Sequence, residues 1–312
     1  MMKMMSLDND IELLAPQVHE NLAVIPLKTQ RTYIDMLTLK KGLELGLVEV
    51  KECETSQVNT VIVKNHAVAP LILIDGEEII GGDQNRIINS TILLEANSEM
   101  AVPVSCTEKG RWAYKSEFKQ SEYMANYNTR KAKRYAEKTS QHTQDVIWSS
   151  INQLEVENSF ASPTSAMEES YENLKSTHES IIHEFEVESE QNGVLIILNG
   201  EIQGFEIFLN PEIYREFHKK ILKSYIIDSK IENNTFAVNV DEAKDIISKT
   251  FTSSYEKREN LGLEEIFEFE NDDGIGTVYA YQNKIIHMSY FQKLKKEIED
   301  EIDEGISLES DT

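Results

Sequence analysis

Apolar and polar residues alternate along several short segments in the first third of the chain. Such alternation is typical of a strand with one buried face, whereas a short continuous apolar run is typical of a strand buried on both faces. The run at residues 71–74 is of the second kind. We therefore predict strands at residues 46–51, 59–64, 71–75, 91–94 and 100–104, and a helix between residues 34 and 45.

The middle of the chain changes to helical spacing. Ile147, Ile151 and Leu154 fall at i, i+4 and i+7, so they form one apolar stripe on a helix that we expect to begin near Thr129. A second helix, rich in glutamate, is predicted at residues 165–184. The basic residues between positions 130 and 138 are compatible with an anionic ligand or a partner, but in a chain this acidic we interpret them as a solvated helix face.

The last third returns to strands and adds helices. Two apolar runs at residues 194–198 and 202–209 flank an Asn-Gly pair, which is the favoured turn of a two-residue β-hairpin. Asn210 is predicted to cap a helix that begins with Pro211, and Asp241 to cap the next one. Further strands are predicted near residues 266–269, 276–281 and 284–288. A terminal helix is predicted from the spacing of Phe291, Leu294, Ile298 and Ile302.

These elements predict an α+β fold with a mixed, mainly antiparallel β-sheet core, a central helical segment and C-terminal helices. We assign residues 1–20 to an N-terminal extension and residues 291–312 to a C-terminal helix with an acidic tail. Residues 21–290 are expected to form one compact domain, or two packed lobes divided near residues 155–190.

Composition and charge narrow the functional classes. The 312 residues are 40% hydrophobic and carry a formal net charge of -24, which repels phosphate backbones and argues against general nucleic-acid binding. The two cysteines, Cys53 and Cys106, indicate a reducing compartment. No apolar run approaches the length of about 20 residues that crosses a bilayer, and no signal-peptide pattern opens the chain. We expect a cytoplasmic protein without membrane contact.

Polar residues are concentrated between Asp75 and Trp112. Asp75 and Glu77 follow an apolar strand, and strand ends are where open sheets place ligand groups. Arg86 and Arg111 carry planar guanidinium groups suited to phosphate or carboxylate, and Trp112 offers a stacking face. The structural alternatives are that the glycine pair at residues 81–82 forms only a turn and that Arg86 and Arg111 form structural salt bridges.

Other chemistry receives less support from the sequence. Cys106 is a nucleophile candidate with His66, His142 or His287 as base, but no nucleophile elbow accompanies it, and we expect a small buried side chain. Asp75, Glu77 and Asp83 are compatible with Mg²⁺, yet no spacing requires it, so no metal is assigned. His287 lies between two apolar residues and is expected to be a hydrogen-bonded core histidine.

Five sequence strings resemble the ARG-and-rhodanese-phosphatase-superfamily-associated protein domain family. They are LELGLVEV at residues 43–50, LIDGE at 73–77, GGDQNRI at 81–87, PVSCTEKGRW at 103–112 and SPT at 162–164. The resemblance extends over about residues 20–290. It implies ligands of the NAD-derived or ADP-ribose type, and a setting in bacterial or phage conflict systems such as antiviral defence.

The first hypothesis is a binding module for a small anionic, nucleotide-like ligand. The second is a hydrolase in which Glu77 or Glu108 acts as general base and Asp75 orients water. The third is a structural or protein-interaction subunit, in which the terminal helix would contact a partner. That partner could be a second copy of this chain, so a homo-oligomer is one possible state. Whether the protein is an enzyme stays open, and no cofactor is assigned. The predicted ligand-binding residues are Gln84, Asn85, Arg86, Asn89, Ser105, Cys106, Arg111 and Trp112.

Overall fold

The computed structural model describes residues 11–30, 33–53, 59–139, 142–227, 229, 232 and 234–293. The strands before the central helices are β1 Glu12–Leu13, β2 Gln17–His19, β3 Leu22–Lys28, β4 Leu37–Thr38, β5 Val48–Glu52, β6 Thr60–Asn65, β7 Leu71–Leu73, β8 Glu77–Ile80, β9 Arg86–Ile88, β10 Ile92–Leu94, β11 Ser98–Cys106 and β12 Lys119–Met124. The later strands are β13 Gly193–Leu198, β14 Glu201–Phe208, β15 Tyr255–Arg258, β16 Glu265–Asn271, β17 Gly274–Tyr281 and β18 Lys284–Gln292. The helices are α1 Leu39–Glu44, α2 Tyr127–Lys138, α3 Thr143–Glu157, α4 Met167–Ile182, α5 Pro211–Ile226 and α6 Val240–Thr252.

A nine-stranded antiparallel sheet joins the two ends of the described chain. Its order is β1-β3-β13-β14-β18-β17-β16-β15, and β2 also pairs with β3. Residues 12–13 and 17–19, which the sequence assigns to an N-terminal extension, are thus strands of this sheet.

Both faces of the nine-stranded sheet are buried, which explains the continuous apolar runs in its strands. In β3, Leu22 and Val24 pack into one core with α5, while Ala23 and Ile25 pack into a second core with α6. Because side chains of a strand alternate between faces, an apolar residue is required at every position.

The segment before the central helices forms two smaller sheets. A six-stranded sheet has the order β12-β8-β9-β11-β6-β5, and a three-stranded sheet has the order β10-β7-β4. The β4–β7 pair is parallel, whereas the other described pairs are antiparallel. Leu71 and Leu73 pack between these sheets, whereas Ile72 and Ile74 pack into the α5 core. Alternation along this one segment therefore ties the two parts together, and the α+β prediction is confirmed.

The central helical segment differs from its prediction. A single helix was expected from near Thr129 through Leu154, but α2 ends at Lys138 and α3 begins at Thr143. The apolar stripe Ile147, Ile151 and Leu154 belongs to α3 alone and is buried. The helix predicted at residues 165–184 is confirmed as α4.

Turn and cap chemistry agree with the sequence in most places. Asn199 and Gly200 connect β13 to β14 with φ of 52° and 80°, as the Asn-Gly signal predicts. Asn210 caps α5 by accepting a hydrogen bond from the Ile213 backbone N–H at 3.0 Å. The cap of α6 is Asn239, so the prediction of Asp241 is wrong by two residues.

The C-terminal prediction is partly wrong. Phe291 lies in β18 and is fully buried, so it does not start a helix. Leu294, Ile298 and Ile302 lie outside the described residues. A deletion beginning at Phe291 would therefore shorten a central strand of the nine-stranded sheet, and it cannot serve as a test of a protein-interaction helix.

No helix in the described part of the chain is long and apolar enough to cross a membrane.

Candidate functional site

The two polar strings at residues 81–87 and 103–112 meet because β9 pairs with β11. Arg86 lies opposite Cys106 in this pair. Gly81 and Gly82 precede β9 with φ of +123° and +52°. A Cβ atom on Gly82 would lie 2.2 Å from the Phe118 ring. The glycine pair is therefore required by a turn packed against residues 116–118. This is the structural alternative to a ligand-binding role that the sequence left open.

Arg111 fastens this turn from the other string. Its Nε donates to Glu108 at 2.9 Å, and its Nη2 lies 2.6 Å from the same carboxylate. Nη2 also donates to the Asn85 amide oxygen at 3.1 Å. The two Nη groups further donate to backbone carbonyl oxygens at 2.7, 2.9 and 3.1 Å. The donors of this guanidinium are thus engaged within the protein, which makes Arg111 a structural clamp.

Arg86 is held in a similar way on the buried side of the turn. Its Nη1 donates to the Gln84 side-chain oxygen at 2.9 Å and to the Cys106 sulfur at 3.1 Å, and its Nη2 lies 3.6 Å from Glu52. Burial raises the pKa of the Cys106 thiol above its ordinary value. A buried thiol with a raised pKa is a poor nucleophile, so the small buried side chain expected from the sequence is what the structure contains.

Glu108 connects the strings to a third one. Its second carboxylate oxygen accepts a hydrogen bond from the Thr164 hydroxyl at 3.0 Å, and the Gly110 N–H donates to the Thr164 carbonyl at 2.7 Å. Burial alone would raise the pKa of Glu108, but hydrogen bonds and the charge from Arg111 bring it below its ordinary value. A carboxylate whose pKa is lowered and whose oxygens already accept hydrogen bonds is a weak proton acceptor, so it does not suit the general-base role proposed from the sequence.

The other predicted ligand-binding residues do not complete a common surface. Ser105 donates to Asn89 at 2.9 Å, and Gln84 donates to the Glu108 carbonyl at 2.8 Å. Trp112, in contrast, is 65% exposed. The strings bring these residues close in space but turn most of their polar groups toward each other.

Asp75 belongs to a separate cluster beneath α2. Lys133 and Arg134 both pair with its carboxylate, Arg134 at 2.7 Å. The side chains of Asp75 and Lys133 are fully buried and that of Arg134 is 5% exposed. The prediction that the basic residues of α2 form a solvated face is therefore wrong. Burial raises the pKa of Asp75, but the charges of Arg134 and Lys133 outweigh it and hold the pKa well below its ordinary value.

A second buried carboxylate extends this cluster across the nine-stranded sheet. Glu206 accepts two hydrogen bonds from Arg130, at 2.7 and 3.0 Å, and lies 3.3 Å from Nε2 of His287. The other ring nitrogen of His287 lies 2.7 Å from the Thr91 hydroxyl, which accepts from the Asp75 N–H at 3.0 Å. Despite burial, the charge of Arg130 lowers the pKa of Glu206 to about 2. His287 is the hydrogen-bonded core histidine expected from the sequence.

Glu77 lies in a third environment, where α5 packs against β12. It is fully buried and accepts hydrogen bonds from the Ile74 N–H at 3.2 Å and from the Gln120 amide. Burial raises the pKa of Glu77 and lowers the pKa of nearby Lys220. The Lys220 Nζ has no hydrogen-bond partner among the described residues. Of the three carboxylates proposed from the sequence as catalytic, only Glu77 has an environment that favours proton transfer.

Glu78, the next residue, extends to the opposite side of β8. Its carboxylate accepts a hydrogen bond from the Thr107 hydroxyl at 2.8 Å. Burial, aided by the charge of Glu168, raises the pKa of Glu78 to about 8. The sequence analysis did not single out this residue.

A cleft lies between α1 and β5 on one side and residues 114–120 on the other. Its volume is about 940 Å³. Leu43, Val48, Val50, Tyr114 and Phe118 supply the apolar part of its lining. Six carboxylates and three lysines supply most of its charge, namely Glu44, Glu49, Glu52, Asp83, Glu117, Glu122, Lys40, Lys51 and Lys119. Gln120, the partner of Glu77, also lines it.

Within the described residues, no group of three or more His, Cys, Asp and Glu side chains is arranged to hold a metal ion. Asp75 and Glu77, the carboxylates considered for Mg²⁺, lie in the separate environments described above.

Comparison with known families identifies one match. A model of the ARG and rhodanese-phosphatase-superfamily-associated protein domain matches residues 10–291. The chain belongs to this family. No curated protein and no solved structure gives a significant match.

Three of the five strings that carry the family resemblance, at residues 81–87, 103–112 and 162–164, thus meet in one assembly held by Arg111 and Glu108. Sequence reasoning missed the buried charges Glu78, Glu206 and Lys220. A signal was present at Glu206, because it is the single charge inside the apolar run at residues 202–209. Such a charge in a strand buried on both faces needs a buried counter-ion, and the basic residues of α2 were the available candidates.

Proposed function

We propose that this protein binds a small nucleotide-like ligand of the NAD or ADP-ribose type in the cleft between α1, β5 and residues 114–120. The observation that carries the proposal is the cleft itself. Its volume of about 940 Å³ lies in the range of about 300–1,000 Å³ that is usual for small-molecule sites. Its lining combines apolar side chains with carboxylates and lysines, which suits a ligand with a flat ring and hydroxyl groups.

Tyr114 is the side chain best placed to stack on a ring of the ligand. It is 66% exposed and lines the cleft, whereas Trp112, which the sequence proposed for this role, does not line it. The carboxylates of the lining accept hydrogen bonds from ribose hydroxyls, and Lys40 and Lys119 are available to phosphates, whereas Lys51 pairs with Glu49. The phosphate contacts assigned to Arg86 and Arg111 are replaced by these lysines, because both guanidinium groups have partners in the protein.

Charge further narrows the ligand within this class. The cleft lining has six carboxylates against three lysines, so its potential favours a ligand with a positive group. NAD and nicotinamide mononucleotide carry a pyridinium cation, which ADP-ribose lacks. A cation over an aromatic ring is also stabilised by the ring quadrupole. We therefore expect the cleft to prefer nicotinamide-containing nucleotides over ADP-ribose.

A thermal-shift panel tests this proposal with NAD, nicotinamide mononucleotide, ADP-ribose and ATP. A ligand at 100 times its Kd adds about 2.7 kcal/mol of stability, which should raise Tm by several degrees. Tyr114→Ala should remove the response to NAD. Trp112→Ala is the matched control, since the two rings are almost equally exposed and only Tyr114 lines the cleft. A flat panel, or equal loss in both variants, would sink the proposal.

Hydrolysis of the bound nucleotide is the second candidate, and the Glu77–Lys220 environment favours it. The pKa of the Glu77 carboxyl group is raised and that of the Lys220 amine is lowered, both by burial, and shifts in these directions are typical of acid–base groups. The Gln120 side chain, which donates to Glu77 and lines the cleft, connects Glu77 with the cleft. Glu77 is therefore the carboxylate to which we assign the acid–base role.

Turnover separates the enzyme from the binding module. The nucleotide that shifts Tm is incubated with the protein, and the products are resolved by chromatography. If the protein is a hydrolase, Glu77→Gln should abolish product formation and retain the thermal shift. If the wild-type protein forms no product, binding alone remains. A role in bacterial or phage conflict and a homo-oligomeric state stay predictions from the family resemblance.

A further inference from the structure

A polar row crosses the nine-stranded sheet beneath α2. Glu206 pairs with Ser289, Ser289 with Thr277, and Thr277 with Glu268 in the antiparallel registers of β14, β18, β17 and β16. Directly paired residues place their side chains on the same face of a sheet. The row therefore runs from the Arg130–Glu206 ion pair in the interior to β16, which lies next to the edge strand β15.

Two hydroxyl groups in the middle of this row lack partners. Thr277 and Ser289 are fully buried, and neither hydroxyl has a hydrogen-bond partner among the described residues. The same holds for the Nε atoms of Arg130 and Arg134, which lie one helical turn apart on α2. Each of these four atoms can donate a hydrogen bond. Buried donors without acceptors are costly, and so many in one layer point to an acceptor that binds there.

A cavity reaches this layer from the edge of the sheet. It has a volume of about 280 Å³, and both Arg134 and Thr277 line it. Lys138 and Arg258 are further cations of its lining, and Tyr255 and Phe269 supply aromatic walls. The cavity is separate from the cleft proposed for the nucleotide-like ligand, since the two share no lining residue.

Three carboxylates of the lining have cationic partners. Glu268 and Glu256 lie 2.7 and 3.2 Å from Arg258, and Glu270 pairs with Lys138. Deeper inside, the fully or nearly fully buried charges are Arg130, Lys133 and Arg134 against Asp75 and Glu206. The partly exposed Glu137 lies 3.1 Å from Arg134. Glu137 also lies 3.9 Å from Lys133, so the three cations of this cluster face three carboxylates.

We propose that this cavity binds a small oxyanion, a phosphate or carboxylate group, through the Nε of Arg134 and the hydroxyl of Thr277. Lys138 and Arg258 lie in the same lining and stabilise the negative charge. Such a group accepts the hydrogen bonds that Arg134 Nε and the Thr277 hydroxyl leave unmade within the described residues. Binding of this kind fixes α2 against the nine-stranded sheet.

The test uses the full-length protein with inorganic phosphate and acetate as probes, in separate titrations against chloride at matched ionic strength. Thr277→Val keeps the shape of the side chain and removes its hydroxyl. Without the anion this variant should be at least as stable as the wild type, because the lost hydroxyl had no partner. With the anion, its Kd should rise about tenfold or more, since a hydrogen bond to a charged group contributes about 1.5–3 kcal/mol.

Ser289→Ala is the matched control. It removes the neighbouring unpartnered hydroxyl, which does not line the cavity, and should leave the anion affinity unchanged. Lys138→Gln should weaken binding, whereas Lys257→Gln, at an exposed ion pair with Glu265 outside the lining, should not. A response to phosphate or to acetate supports the corresponding form of the site. A response to neither, as expected if water occupies the cavity, or unchanged affinity in Thr277→Val, would overturn the proposal.

Discussion

Glu78 allows the strongest test of how burial shapes the chemistry of this protein. Its carboxyl group is fully buried and accepts a hydrogen bond from the Thr107 hydroxyl at 2.8 Å. Burial raises its pKa from the ordinary 4.5 to about 8, with a smaller contribution from Glu168. Glu78→Gln keeps the shape and the acceptor for Thr107 and removes the ionisation, so it isolates the cost of the buried charge.

The sign of the pH effect follows from the direction of the shift. Because the pKa of Glu78 is higher in the folded protein, the native state binds the proton more tightly than the unfolded chain. The associated stability is fully present below pH 4.5 and is lost as pH rises through about 8. Integrated from about pH 5.5 to about pH 8.5, the loss is about 3 kcal/mol. Glu78→Gln should escape it and gain that amount relative to the wild type.

Urea denaturation of both proteins at several pH values within this window measures the difference directly. Titrations shared by wild type and variant cancel in the comparison. Glu117→Gln is the control, because Glu117 is an exposed glutamate of the neighbouring segment, and its substitution should give no comparable trend. The reasoning is refuted if the difference between Glu78→Gln and the wild type does not change with pH.

Three further substitutions test the buried charges and the clamp. Asp75→Ala removes the fully buried carboxylate that pairs with Lys133 and Arg134 and should cost about 3–5 kcal/mol in urea unfolding, and a neutral effect would contradict the ion-pair assignment. The pKa of Glu206 is lowered to about 2, so its stabilising contribution is lost as pH falls from 4.5 toward that value. In Glu206→Gln the free energy of unfolding should therefore fall less steeply with acidification than in the wild type, and an equally steep fall would refute this. Arg111→Met should speed amide hydrogen exchange at residues 81–86 and reduce stability by at least about 1–3 kcal/mol, whereas unchanged exchange would show that the clamp is dispensable.

Much of the fold follows from local pattern. The Asn199-Gly200 turn, the Asn210 cap and the apolar stripe of α3 depend on residues close in sequence, and the structure contains each of them. The failures occur where the local pattern carries less information. α2 has strongly polar composition, so its end near Thr139 was not visible, and Phe291 fits a strand as well as a helix.

The candidate site was likewise predictable from the sequence only in part. The strings around Arg86 and Arg111 identified the family and marked a segment rich in polar groups. They did not reveal that both guanidinium groups are occupied by partners within the protein. The cleft was not visible at all, because α1, β5 and residues 114–120 meet only after the six-stranded sheet has formed.

The sequence by itself determined the α+β class, most element positions and the family, because hydrophobic period, turn residues and caps act over a few neighbouring positions. Only the tertiary structure decided which charges are buried. Asp75 and Lys133 are 58 residues apart, and Arg130 and Glu206 are 76 apart. The pKa of each group depends on its burial and on charges brought near by the fold. A basic helix that the sequence alone predicted to be solvated thus supplies the buried cations that pair with two distant carboxylates.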